Sequence, residues 1–120
     1  MNVAPVRPKS AGKISEAEFQ KAVVQYAHLR GWLCAHFRPA KMASGNWVTP
    51  MQGDVGYPDL TLCRGERLVF AELKAQGRKP TEEQETWLDA LRKASPYGGF
   101  EVYVWTPKHW LSGQVERILR

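Results

Sequence analysis

Phe19, Val23, Tyr26 and Ala27 recur at helical spacing early in the chain, the mark of a helix with one buried stripe. Ser15 and Glu18 have the spacing of a capping box and Ile14 and Phe19 that of a hydrophobic staple, so this helix is expected to start near Ser15. Gly31 ends it, and residues 32–37 read as a strand. Residues 38–57, with Pro39, Gly45, Pro50, Gly53 and Gly56, read as a loop long enough to suggest function. Two apolar runs follow, 59–63 and 67–74, separated by Arg64-Gly65-Glu66-Arg67. Thr81 is placed to cap a second helix reaching about Ala94, with Trp87, Leu88 and Leu91 facing inward. A turn is expected at 96–99 and a strand at 100–105, with Val102 and Val104 on one face and Tyr103 and Trp105 on the other. Pro107 opens a short helical turn, and 114–119 reads as a last helix. The order α-β-β-β-α-β describes an α/β domain, a sheet with helices packed against it.

With 120 residues there is material for one core. Residues 1–13, proline-rich and basic through Arg7, Lys9 and Lys13, are expected to form a flexible arm, and 14–120 the single domain. A net charge of +5 suits a polyanionic partner. Cys34 and Cys63 fall within expected strands and read as buried thiols of a reducing, cytoplasmic compartment. Their spacing is not that of a zinc site. No apolar run is long enough to span a bilayer, so no membrane association is expected.

The ionisable residues at the ends of the two apolar runs change the picture. Asp59 starts the first, and Glu72 and Lys74 close the second. An unpaired charge is costly to bury, so carboxylates and an ammonium in these positions suggest a group held for chemistry. Glu72 and Lys74, two apart on a strand, share a face. Glycine at the first central position favours a two-residue type II′ turn with Gly65 and Glu66 at its tip. That turn pairs Arg64 with Arg67 and brings Asp59 opposite Glu72; a three-residue loop would pair Asp59 with Ala71 and separate the carboxylates. Paired carboxylates beside a lysine suit a hard divalent cation and phosphodiester hydrolysis.

Pro58-Asp59 followed by Glu72-Leu73-Lys74 resembles the signature of the PD-(D/E)xK nuclease superfamily. Glu18-Phe19-Gln20, Gly31-Trp32, His36, Gly56 and Gln84-x-x-Trp87-Leu88 are similar to its virus-type replication-repair nuclease (VRR-NUC) branch, over about Ile14 to Trp105. The resemblance implies a restriction-endonuclease-like core, Mg2+ (or Mn2+) held by Asp59, Glu72 and the Leu73 carbonyl, and Lys74 beside the attacking water. It carries Glu18 to the metal, directly or through water, and points Gln84 at the water or the scissile phosphate. Both residues have a complete local reading as well, since each is the third residue after a capping Ser15 or Thr81. Glu16, in the same first turn, is easily confused with Glu18.

His36, Arg38, Lys41, Arg78 and Lys79 flank the expected site and would contact DNA phosphates without reading sequence. Tyr57, Trp47 and Trp105 offer stacking surfaces for bases, whereas Trp32 and Trp87 read as core. The expected function is a metal-dependent DNA endonuclease acting on branched DNA such as Holliday junctions in replication, recombination or repair. Likeness to small junction resolvases implies a homodimer, with the long loop and the 103–110 segment as candidate surface. The rivals are a monomeric nicking or end-processing nuclease and a non-catalytic DNA-binding module.

Overall fold

A computed structural model describes residues 10–37, 40–48 and 52–120. Helix α1, Glu16–Leu29, starts where Ser15 caps it, the Ser15 hydroxyl accepting from the Glu18 N–H. Its stripe of Phe19, Val23 and Ala27 is buried. Gly31, at a φ of +83°, turns the chain into strand β1, Leu33–His36. Strands β4 (Leu60–Arg64) and β5 (Arg67–Leu73) form the expected hairpin, with Arg64 paired to Arg67 and Leu60 to Ala71. Gly65 has a φ of +58° and no described non-glycine residue has a positive φ, as a type II′ turn requires. Helix α2 (Glu82–Gly98) then crosses to β6 (Glu101–Trp105), which lies parallel to β5. Helices α3 (Pro107–Leu111) and α4 (Gln114–Leu119) close the chain.

The result is an α/β fold on one mixed sheet of order β1-β4-β5-β6. Alternation along the strands sends Leu60, Leu62, Val69, Ala71 and Leu73 to one face, where they pack with the α1 stripe and with Val115 and Leu119 of α4. The α2 helix covers the other face: Leu88 is buried there, and the rings of Tyr57, Trp87, Phe70 and Phe100 meet edge to face. No described helix is long and apolar enough to cross a membrane. The end of the expected arm, Ala11–Lys13, forms a 3-10 turn against α3.

Several expectations are corrected. The stretch read as loop contains a small hairpin of β2 (Ala40–Lys41) and β3 (Trp47–Val48), too short to leave a periodic pattern. The turn expected at 96–99 is the last part of α2, which runs through Pro96 and stops at Gly99 in the left-handed conformation. Proline removes a single N–H and does not stop this helix; glycine does. Cys63 is exposed and Cys34 half-buried, both free: β1 is an edge strand, and Cys63 alternates to the face of β4 opposite the buried Leu60 and Leu62. Trp87 is only half-buried; its indole N–H donates to the Asp54 carbonyl at 3.0 Å. Trp105 is 1% exposed, packed in the core and stacked on Tyr103, so it offers no face to a base. Within the 103–110 segment Trp105 and Pro107 are buried, Lys108 is exposed and the rest are half-buried.

Candidate active site

The hairpin register continues one step beyond β4, and the two carboxylates meet there. The Asp59 N–H donates to Glu72 Oε1 at 3.2 Å, and the Leu73 N–H donates to Asp59 Oδ2 at 2.7 Å. Each carboxylate is therefore fixed by backbone of the other's strand, a clasp that depends on register alone. Lys74 Nζ lies 3.6 Å from Glu72 Oε2 and 4.0 Å from Glu16 Oε1. Glu72 is 1% exposed, and its Oε2 has no hydrogen-bond donor among the described residues. Burial, then the neighbouring Asp59 carboxylate, push the Glu72 carboxyl up to about 9, with Lys74 and the Asp59 N–H pulling the other way. Such a group waits for positive charge.

These residues stand at a cleft of about 1170 Å³ between α1 and the loop 52–57. Asp59, Lys74 and Gln84 line it, as does His36, whose Nδ1 is 3.1 Å from Gln20 Nε2. Gln84 serves as a helix cap, its Oε1 accepting from the Thr81 N–H at 2.8 Å in a full capping box, and the residue also borders the cleft. With the amide oxygen committed, Gln84 can offer the cleft only its Nε2 donors.

On α1 the acidic residue lining the cleft is Glu16. Glu18 instead has its Oε1 3.2 Å from the Ser15 hydroxyl, at the cap. Two positions along a helix are about 200° apart around the axis, so Glu16 and Glu18 cannot share a face. The spacing Glu16, Gln20, Val24 was the available signal, because i, i+4 and i+8 fall together on the cleft side. Arg78 and Lys79 are exposed in the connection between β5 and α2. Arg38 lies outside the described residues, and so does the Lys41 side chain. Trp47 is 66% exposed, whereas Tyr57 is half-buried within its ring cluster.

Gly56 holds the loop to the helix that carries Gln84. A Cβ at Gly56 would sit 2.5 Å from the Glu83 carbonyl carbon and 2.8 Å from the Gln84 nitrogen, at a φ of +97°. Glycine is required there twice over, by contact and by conformation.

Whether the residues fit a divalent cation can be judged from their donors. Asp59 and Glu72 supply hard oxygens, and Glu72 Oε2, with no hydrogen-bond donor among the described residues and the Lys74 ammonium 3.6 Å away, has a lone pair to give a cation. Among the described residues no group of three or more His, Cys, Asp or Glu comes together as a full ligand cage. An ion that keeps several waters needs no such cage, and magnesium is of that kind. Compared with protein-family models, curated proteins and solved structures, the chain matches none of them.

Proposed function

We propose that this chain is a magnesium-dependent DNA endonuclease on a PD-(D/E)xK core of the VRR-NUC type, cutting phosphodiester bonds in branched or otherwise structured DNA during replication, recombination or repair. The observation that carries the reading is the Glu72 carboxylate. It is buried, clasped to Asp59, set beside Lys74, and has one oxygen without a donor. Left so, that oxygen costs about 1–3 kcal/mol or more in lost solvation. The Lys74 ammonium 3.6 Å away offsets part of that cost, and a bound cation would offset more. The α-β-β-β-α-β order, with β6 parallel to β5 through α2, agrees with the core implied by the sequence resemblance.

Asp59, Glu72 and the Leu73 carbonyl would hold Mg2+, or Mn2+ in its place. When bound, the ion supplies Lewis acidity toward the phosphate and toward water. The chain's own residues do the rest. Lys74 sets a positive charge where negative charge accumulates on the phosphate oxygens, with Glu16 and Glu72 holding its Nζ in place. The Gln84 amide donors orient a water or a phosphate oxygen at the cleft. Arg78 and Lys79 meet the backbone of the flanking DNA. A homodimer, with the 38–57 segment in its interface, would match two such sites to two symmetric strands.

The absence of a third ligating side chain among the described residues favours one other reading, a DNA-binding module that does not cut. One experiment separates them: labelled four-way junction, linear duplex, flap and single strand, each with Mg2+, Mn2+ or EDTA, for wild type and Asp59→Ala. Cutting that needs the metal and is lost in Asp59→Ala establishes the nuclease, and paired symmetric nicks in the junction establish the resolvase form. Binding of every substrate with cutting of none, under either metal, establishes the module.

A further inference from the structure

The carboxylates and Lys74 stand at one end of the cleft. Away from Asp59 and Lys74 its lining includes Gln20 and Val24 of α1, with the exposed Lys21 at the rim, His36 and Phe37 at the end of β1, and Val55 and Tyr57 of the loop. This part combines a half-exposed aromatic ring, aliphatic walls and a pair of amide and imidazole groups. Phe37 is 39% exposed and is held edge to face by Tyr57, with ring centroids 5.8 Å apart at 86°. Tyr57 is in turn fixed against Trp87 and bonded through its hydroxyl to Thr61 at 2.9 Å. The exposed ring is therefore already oriented, without the entropy cost of ordering a free side chain.

The Gln20–His36 contact has its own chemical consequence. With Gln20 Nε2 donating to His36 Nδ1 at 3.1 Å, the imidazole carries its proton on Nε2. The pair then has a ring N–H donor and the Gln20 Oε1 acceptor, on two residues that line the cleft together with Phe37. A donor and an acceptor near an aromatic face match the edge and face of a nucleobase. Phosphate is served poorly by an acceptor oxygen, and a wholly apolar ligand by either polar group.

We propose that this part of the cleft seats an unpaired base of DNA, with Phe37 against its face and the Gln20–His36 pair against its edge. A base inside a duplex has both faces covered by its neighbours and cannot use the seat. The strand that places a phosphate at Asp59 and Glu72 thus enters as single strand, as at a flap, a fork or an opened branch point. That last step rests on the nuclease reading of the same cleft; the base seat itself is a binding property and can be tested without cleavage.

The test is fluorescence anisotropy in EDTA with a short labelled oligothymidylate, the same sugar-phosphate backbone without bases, and a duplex containing the same strand. Wild type is expected to bind the intact strand about tenfold more tightly than the base-free backbone, the scale of one stacked base. Phe37→Ala removes the difference, Phe37→Tyr retains it, and Gln20→Ala weakens binding of the intact strand alone. Equal wild-type affinity for the intact and base-free strands overturns the proposal, an outcome that needs no variant to fold. A difference that persists in Phe37→Ala, or tighter binding of duplex than of single strand, also overturns it. Because no metal is present, failure here leaves the cleavage result untouched, and failure to cleave leaves this result standing.

Discussion

A carboxyl group with the burial of Glu72 makes stability depend on pH in a direction opposite to that of most acids. Its folded value, pushed up to about 9, stands above the ordinary 4.5. Between those values the native chain holds a proton that the unfolded chain has lost, so stability falls as pH rises through the window. The steepest slope one group can give is about 1.4 kcal/mol per pH unit. In EDTA, wild type is expected to melt at progressively lower temperature from pH 5 to pH 9, roughly the window set by those two values. Glu72→Gln should melt at a nearly constant temperature over that range and above wild type at its alkaline end. Parallel curves for the two proteins would contradict the buried, donor-poor setting of Glu72. Lys74 belongs to the same scale: Lys74→Ala should lower single-turnover cleavage by about a hundredfold to a thousandfold, the usual size of a lost charge-stabilising donor. Metal affinity from calorimetry should change far less. Asp59, Glu72 and Lys74 were legible in the chain because charge at the end of an apolar run is unusual. The choice between Glu16 and Glu18 was only half legible: the spacing of Glu16, Gln20 and Val24 marks one side of α1, but only the fold shows that this side faces the cleft.

At the scale of elements, turn chemistry carried the most information. Gly65 selects a two-residue turn, the turn selects the register, and the register alone brings Asp59 to Glu72. The arginines at the same turn have a second role that their spacing did not announce. Arg67 binds both oxygens of Glu101 at 2.9 and 2.7 Å and the Ile118 carbonyl at 2.8 Å, while Arg64 donates to the Leu119 and Arg120 carbonyls. Both guanidinium groups also lie over the Trp32 ring, whose N–H donates to the Leu119 carbonyl. The turn thus caps α4 with positive charge at the helix end that favours it. Arg67→Ala should cost about 2–3 kcal/mol, since it leaves part-buried acceptors without their charged donor, and amide exchange should speed up in α4 before other elements. Gly56→Ala tests the joint between loop and α2. Its Cβ would meet backbone on both sides of the Glu83–Gln84 peptide, so a loss of about 1–3 kcal/mol is expected, with weaker metal-dependent cleavage as Gln84 shifts. An unchanged melting temperature would show that the loop moves aside freely. The β2–β3 hairpin and the passage of α2 through Pro96 were not legible, because short strands have too few residues for a period and a proline can be carried in a helix packed by its neighbours.

At the scale of the molecule, the charge of +5 and the position of the cleft make different statements. Glu16 and Glu72 flank Lys74, and Asp59 is clasped to Glu72, so the single Lys74 ammonium is already matched by acids and does not draw DNA to the site by itself. Attraction must come from basic residues outside it, and Arg78 and Lys79 qualify: they are exposed and lie in the connection between β5 and α2, a few residues from Lys74. The slope of log affinity against log salt counts phosphate contacts, at about 0.9 per contact for duplex DNA and about 0.7 for single strands. Replacing Arg78 and Lys79 together by alanine should reduce that slope by about 1.5–2 on duplex or branched DNA. Both side chains are solvent-facing, so the melting temperature should hold, and single-turnover cleavage of saturated substrate should remain close to wild type. Phosphate contacts carry no base information, so affinity should fall by a similar factor across sequences. A slope equal to that of wild type would move the DNA track off the β5–α2 edge and onto the other side of the cleft, toward α1 and Lys21.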